Sequence, residues 1–175
     1  MDPMTEAKLW RNPCGFAFRL NYLALRYNTP CYRAVHEREG LSRIEYVVIY
    51  SLALEPGGRA RDIAASSGFP KNSLSRAIAK LEGLKLLRRR RDTDDAREHS
   101  LHLTRSGRAL FERTLPGFEA RERQLLGALS AKERRTLSEL LAKVVEHVTA
   151  LPDEIPDAPA DAARAPRPAR ARGAA

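Results

Sequence analysis

The stretch KNSLSRAIAKLEGLKLLRRRR, from Lys71 to Arg91, decides how this chain is read. Leu74, Ala77, Ile78, Leu81 and Leu84 recur at three- and four-residue spacing, the pattern of a helix with one apolar face. Pro70 stands at its entry and Gly83 near its end. Setting Leu74 and Ile78 inward at about 100° per residue carries Asn72, Arg76 and Ala79 to the centre of the opposite face, with Ser75 and Lys80 beside them. After the helix, Leu86 to Arg91 and Glu98 to Leu103 read as two strands joined by the polar turn from Asp92 to Ala96. On the second strand Leu101 and Leu103 alternate with His102, which gives one buried face.

Upstream, Arg59 to Ser67 holds Ile63, Ala64 and Ala65 and is closed by Gly68, a helix with its C-terminal glycine. Two short helices, a tight turn and a basic hairpin together predict a winged helix-turn-helix. Ser42 and Glu45 form a capping box that opens a further helix through Ile44, Val47, Val48 and Leu52, stopped by Pro56-Gly57-Gly58. Residues 14–38 read as helical, with Phe16, Arg19, Leu20, Leu23 and Tyr27 on one face. Thr29 before Pro30 predicts a kink or a break there. Gly107 to about Leu129 is helical with a bend expected at Pro116. A second capping box, Ser130 with Glu133, opens a last helix through Leu137, Leu140, Leu141, Val144, Val145, Val148 and Leu151.

From Pro152 the composition collapses to Pro, Ala, Arg and Asp, which cannot bury enough apolar area to offset ordering entropy. The fold class expected is mostly α with a small β-hairpin wing. Its organisation is an N-terminal arm at 1–13, dimerisation helices at 14–40 and 107–151, a winged helix-turn-helix at 41–106 and a disordered tail at 152–175.

The 175 residues carry a net charge of +9. Twelve Lys or Arg against six acids lie between Arg59 and Arg105, so six of the nine excess charges sit in about a quarter of the chain. Such focused positive charge fits a polyanion. Nucleic acid is favoured over a membrane, because no basic helix with bulky apolar residues accompanies the charge.

The outward face of the 70–83 helix suits a DNA groove. Arg bonds guanine bidentately, Asn does the same for adenine, and Ser and Lys serve bases or phosphates. The expected DNA-binding residues are Lys71, Asn72, Ser73, Ser75, Arg76, Lys80, Arg90, Asp95 and Arg97. Within the run Arg88 to Arg91, alternation lets two side chains reach DNA while the others pack or pair with Asp92, Asp94 or Asp95. Arg97, near the turn, is placed to enter a minor groove.

Ala60-Arg61-Asp62-Ile63-Ala64, Lys71 to Arg76, Leu81 to Arg88, the wing Asp92 to Arg97 and the closing Leu101 to Gly107 together resemble the MarR family of bacterial regulators. The match spans about Phe16 to Leu151. The resemblance implies that Asp95 and Arg97 match the family's wing Asp-x-Arg element; Ala96 departs from a further arginine often found there. It also implies a twofold dimer through the terminal helices and a small aromatic or anionic effector in a cleft between those helices and the winged domain. Leu9 to Pro13 and Phe69 to Asn72 further resemble a branch that represses nicotinate catabolism genes, which implies a hydroxylated pyridine carboxylate as inducer. Arg19, Tyr22, Tyr46, Tyr50 and Trp10 are the candidate effector residues, being polar or aromatic groups among apolar ones on the helices expected to line that cleft.

The apolar stripe of the last helix suits another helix, so the expected partners are a second copy of the chain and palindromic double-stranded DNA. No cofactor is expected: His36, His99, His102 and His147 lack ligand spacing, and no nucleophile-base grouping or phosphate-binding glycine loop points to an enzyme. Met1 to Arg11 carries acids and lacks an apolar centre, so a cytoplasmic, nucleoid-associated protein is expected. Three rival readings remain at this point: an oxidant sensor using Cys14, with Cys31 as a buried thiol, an effector-independent architectural DNA-binding protein, and a purely protein-binding winged helix.

Overall fold

The computed structural model describes residues 1–91, 99–151 and 154. In chain order its elements are α1 (Pro3–Trp10), α2 (Gly15–Glu39), α3 (Arg43–Leu54), α4 (Ala60–Ser67), α5 (Lys71–Gly83), β1 (Leu87–Arg91), β2 (His99–Leu103), α6 (Arg105–Leu125) and α7 (Ala131–Val148). Two compact units divide the chain at 128/129. The strands pair antiparallel from Leu87 opposite Leu103 to Arg91 opposite His99, the hairpin expected. The wing turn, including Asp95 and Arg97, and the tail from Pro152, Glu154 apart, lie outside the described residues.

The first unit is built on α3. The Ser42 hydroxyl accepts from the Glu45 amide and the Glu45 carboxylate accepts from the Ser42 amide at 2.9 Å, the capping box read from the sequence. Beyond the cap, Tyr46, Val48, Ile49 and Leu52 are essentially fully buried. Around α3 pack Cys31 and Val35 of α2, Ile63 of α4, Leu74, Ile78 and Leu81 of α5, Leu101 of β2, and Leu110, Phe111 and Phe118 of α6. Burying each large side chain in this set contributes about 1.5–3 kcal/mol before entropy is counted.

Two expectations need correction. Helix α2 runs unbroken through Pro30. A proline removes the amide that would bond the carbonyl four residues back, here that of Arg26. Arg121 of α6 replaces the missing donor, its Nε and Nη2 lying 3.1 and 2.7 Å from the Arg26 carbonyl oxygen. The helix therefore keeps its length because a second helix satisfies the orphaned acceptor. Leu84 was expected inward; it lies at the helix end, half exposed, where α5 has already closed. Within residues 1–13, Asp2 caps α1 by accepting the Thr5 amide at 2.9 Å.

The passage from α5 into β1 is tight. Lys85 adopts a left-handed φ of 57°, and the Leu86 amide reaches back to the Leu81 carbonyl oxygen at 2.9 Å. Thr104 then ties the start of α6 to this turn: its hydroxyl donates to the Lys85 carbonyl at 2.7 Å and accepts the Gly107 amide at 3.1 Å. Gly107 is buried against the Leu86 carbonyl oxygen, where a Cβ would overlap it.

In the second unit, Ser130 and Glu133 form the capping box expected for α7. Leu140, Val144, Val145 and Val148 on that helix are exposed.

Gly107→Ala should force the α5–β1 turn away from α6 and cost about 3 kcal/mol, read as a lowered urea midpoint. Lys85→Gly should remove left-handed strain and leave stability raised by about 0.5–1 kcal/mol after its added chain entropy, measured on the same transition.

Candidate nucleic-acid interface and pocket

Helix α5 presents Lys71, Asn72, Ser75, Arg76, Ala79 and Lys80 to solvent, while Leu74, Ala77, Ile78 and Leu81 are buried. Ser73 is half-buried and belongs to the flank of this face. The Arg76 guanidinium lies back along its own helix, its Nε donating to the Asn72 carbonyl oxygen at 3.4 Å. That bond is long and solvent-exposed, so the side chain can be recruited at little cost. Lys80 is different. Its ammonium sits 3.0 Å from both carboxylate oxygens of Glu45, a side chain that is itself buried.

The hairpin sorts its arginines by face. Leu87 and Arg89 oppose Leu103 and Leu101, and on this side Leu87 and Leu101 enter the core. Arg88 and Arg90 oppose His102 and Ser100 on the other side. Arg89 escapes the core by pairing with Glu82 of α5 at 3.1 Å. Arg88 and Arg90 are exposed. Partial burial, then the charges of Arg90 and Arg88, hold the His102 imidazole below its ordinary pKa, so the hairpin's positive field comes from arginine.

Between α4, α5 and the hairpin lies an open cleft of about 220 Å³ lined by Arg59, Arg61, Ser75, Arg89 and His99. Arg59 and Arg61 were not among the residues expected from sequence. Their place just before and just inside a helix start was the available signal, because helix N-termini attract phosphates.

The expected effector set is not one site. Tyr46 is fully buried, its hydroxyl 2.7 Å from Thr114 Oγ1 and its ring stacked on Phe118 at 5.0 Å, so it is a core residue and cannot line a cleft. Arg19 serves the α1–α2 corner: its Nη2 donates to the Leu9 carbonyl at 2.7 Å and its guanidinium lies 5.7 Å from the exposed Trp10 ring. Tyr22 is exposed, with its ring 5.7 Å from that of Phe18. Tyr50 lines a pocket of about 350 Å³ together with Tyr27, Tyr32, Arg43, Phe69 and Phe118. Over it the Arg43 guanidinium spans two rings, 5.1 Å from Tyr32 and 5.7 Å from Phe69. Burial pushes the Tyr27 and Tyr32 phenols upward, so both remain protonated donors at neutral pH. No local pattern signals that Tyr27, Tyr32, Arg43 and Phe69 converge, since they come from α2, α3 and the approach to α5.

Cys14 is exposed and Cys31 buried, and burial raises the Cys31 thiol. No helix among the described residues is long and apolar enough to cross a membrane.

Comparison with known proteins places this geometry. Residues 39–98 match the model of the MarR family. The transcriptional regulator HosA of Escherichia coli is 27% identical over 110 residues, covering 63% of this chain and 82% of that one. The MarR family protein Rv2887 of Mycobacterium tuberculosis, solved with salicylic acid, superposes with a TM-score of 0.58 at 25% identity over 75% of this chain and 96% of that one. A Listeria monocytogenes MarR-family structure bound to a 26mer DNA shares the fold, with a TM-score of 0.70 at 17% identity over 75% of this chain and 87% of that one. The segment 39–98 thus matches the MarR family model, and the chain shares the fold of solved MarR-family regulators.

Proposed function

We propose that this regulator is a repressor that binds a palindromic duplex as a homodimer and leaves it when a small aromatic anion fills the Tyr50 pocket. The observation that carries the reading is the uncovered polar face of α5 beside an arginine-bearing hairpin. A helix of this kind fits the major groove, and only its outward side chains reach base edges. Asn72 and Arg76 are the base readers; Lys71, Ser75 and Arg90 hold phosphates, with Ser73 at the flank. Asp95 and Arg97, which lie outside the described residues, take the minor-groove role that the family resemblance implies. Two copies would present their α5 helices about 34 Å apart, and the exposed apolar residues of α7 supply the surface for pairing. The site of action is the nucleoid, in the cytoplasm.

For the effector, Arg43 supplies the charge, Tyr27, Tyr32 and Tyr50 supply hydroxyls, and Phe69 and Phe118 supply flat apolar walls. That chemistry suits an aromatic carboxylate, and the nicotinate-branch resemblance makes a hydroxylated pyridine carboxylate the first compound to test. Cys14-based oxidant sensing is the second reading, favoured only by the exposure of that thiol.

Arg76→Ala should weaken binding to a duplex selected from random DNA by about 1–3 kcal/mol and relax its sequence preference, whereas Arg97→Ala should weaken all duplexes alike, both read by fluorescence anisotropy. A specific-to-scrambled ratio near unity for the wild type would leave an architectural protein, against the roughly 10³-fold expected of a regulator. 6-Hydroxynicotinate or salicylate should release the duplex from wild type, and Arg43→Met should abolish that release at unchanged DNA affinity. Release that persists in Arg43→Met removes the pocket, and peroxide release lost in Cys14→Ser favours the thiol.

A further inference from the structure

Lys80 occupies the solvent side of α5, where a lysine is ordinarily read as a phosphate contact, yet its partner is already supplied within the fold. Both oxygens of Glu45 lie 3.0 Å from its ammonium. The Glu45 side chain is 10% exposed and that of Lys80 50%. One of those oxygens, Oε2, also accepts the Ser42 amide at 2.9 Å and so closes the cap of α3. A single carboxylate thus joins the first turn of α3 to the C-terminal half of α5.

Its protonation state agrees with that role. Burial raises the Glu45 carboxyl, but the Ser42 hydrogen bonds and the Lys80 ammonium outweigh it and hold the group below its ordinary pKa. The carboxylate is therefore charged at neutral pH. Transferring the ammonium to a DNA phosphate would leave that charge buried, unpaired and close to a polyanion, the arrangement in which losing one partner is most costly.

We propose that Glu45 and Lys80 are a positioning pair that fixes the angle of α5 against α3 for base reading, and that Lys80 does not bind phosphate. The proposal rests on the DNA-binding reading above for its consequence but not for its geometry. Arg89 with Glu82 holds the hairpin side of the same helix, so α5 is braced along two edges by ion pairs that contain no base-reading residue.

A phosphate contact and a positioning pair differ in what salt does. Removing a phosphate contact lowers the slope of log affinity against log salt by about 0.9, on any duplex. Removing a positioning residue leaves the slope in place and lowers only the preference for the right sequence. The test uses the full-length wild type, Lys80→Met, Lys80→Arg, Glu45→Gln and the double variant Glu45→Gln/Lys80→Met. Each is titrated over a series of KCl concentrations with the selected duplex and with a scrambled duplex of equal length. Lys80→Met and Glu45→Gln should each lose about tenfold in specific affinity, with scrambled-duplex affinity and salt slope unchanged. The double variant should lose no more than either single one, and Lys80→Arg should restore most of the loss.

A readout without DNA accompanies this. Amide hydrogen exchange in α5 should quicken in Lys80→Met and Glu45→Gln and return toward wild type in Lys80→Arg. Because Lys80 is half exposed, Lys80→Met should remain folded and carries the test even if Glu45→Gln loses its cap. A slope lowered by about 0.9 on both duplexes in Lys80→Met would overturn the proposal, as would α5 exchange identical to wild type. Wild type that binds neither duplex at low salt would sink the DNA-binding reading instead, and the exchange result would then decide the pairing on its own.

Discussion

The core of the first unit is built on one helix, α3, whose side chains Tyr46, Val48, Ile49 and Leu52 have essentially no contact with water. A twelve-residue helix is marginal in isolation, so α3 exists because of what surrounds it. The dependence is mutual: α2, α4, α5, β2 and α6 each place apolar side chains against it. Its capping box fixes where the helix begins, and with that the register of every contact that follows.

The two sites sit on opposite consequences of this arrangement. Side chains of α3 that face α5 determine how the polar face of α5 is held, while Arg43, Val47 and Tyr50 line the pocket. Phe69 links them. Its ring lies under the Arg43 guanidinium, and the next residue, Pro70, is the N-terminal boundary of α5. The pocket and the entry to α5 are thus joined through one ring, within one residue of the helix.

Proline placement shows the same economy between elements. Pro30 in α2 leaves one carbonyl without its amide, and Arg121 from α6 donates two hydrogen bonds to it. Nearby, Arg113 of α6 pairs its Nε with Glu39 at 2.9 Å, at the other end of the same helix pair. Helix packing in this region is thus fixed by polar contacts at two heights, with the apolar contacts of Cys31, Val35 and Phe118 between them. Length in α2 matters, because the part that begins with Gly15 carries the exposed residues Phe16, Leu20 and Leu23.

Much was legible from residue order alone. The helix face of α5, the Ser42–Glu45 and Ser130–Glu133 caps and the glycine stop at Gly68 depend on residues within a few positions of one another, and the hairpin pairs two strands adjacent in the chain. The outward set Lys71, Asn72, Ser75 and Arg76 followed from periodicity for the same reason. Tertiary structure decided what required two distant segments to meet. It carried α2 through Pro30 by bringing Arg121 to the Arg26 carbonyl, ninety-five residues earlier in the chain, and it drew Tyr46 into the core. It gathered Tyr27, Tyr32, Arg43 and Phe69 around one pocket, and it gave Lys80 to Glu45, thirty-five residues away. A side chain's solvent-facing position can be counted along a helix, but the partner it finds there is set by which other helix the core brings alongside.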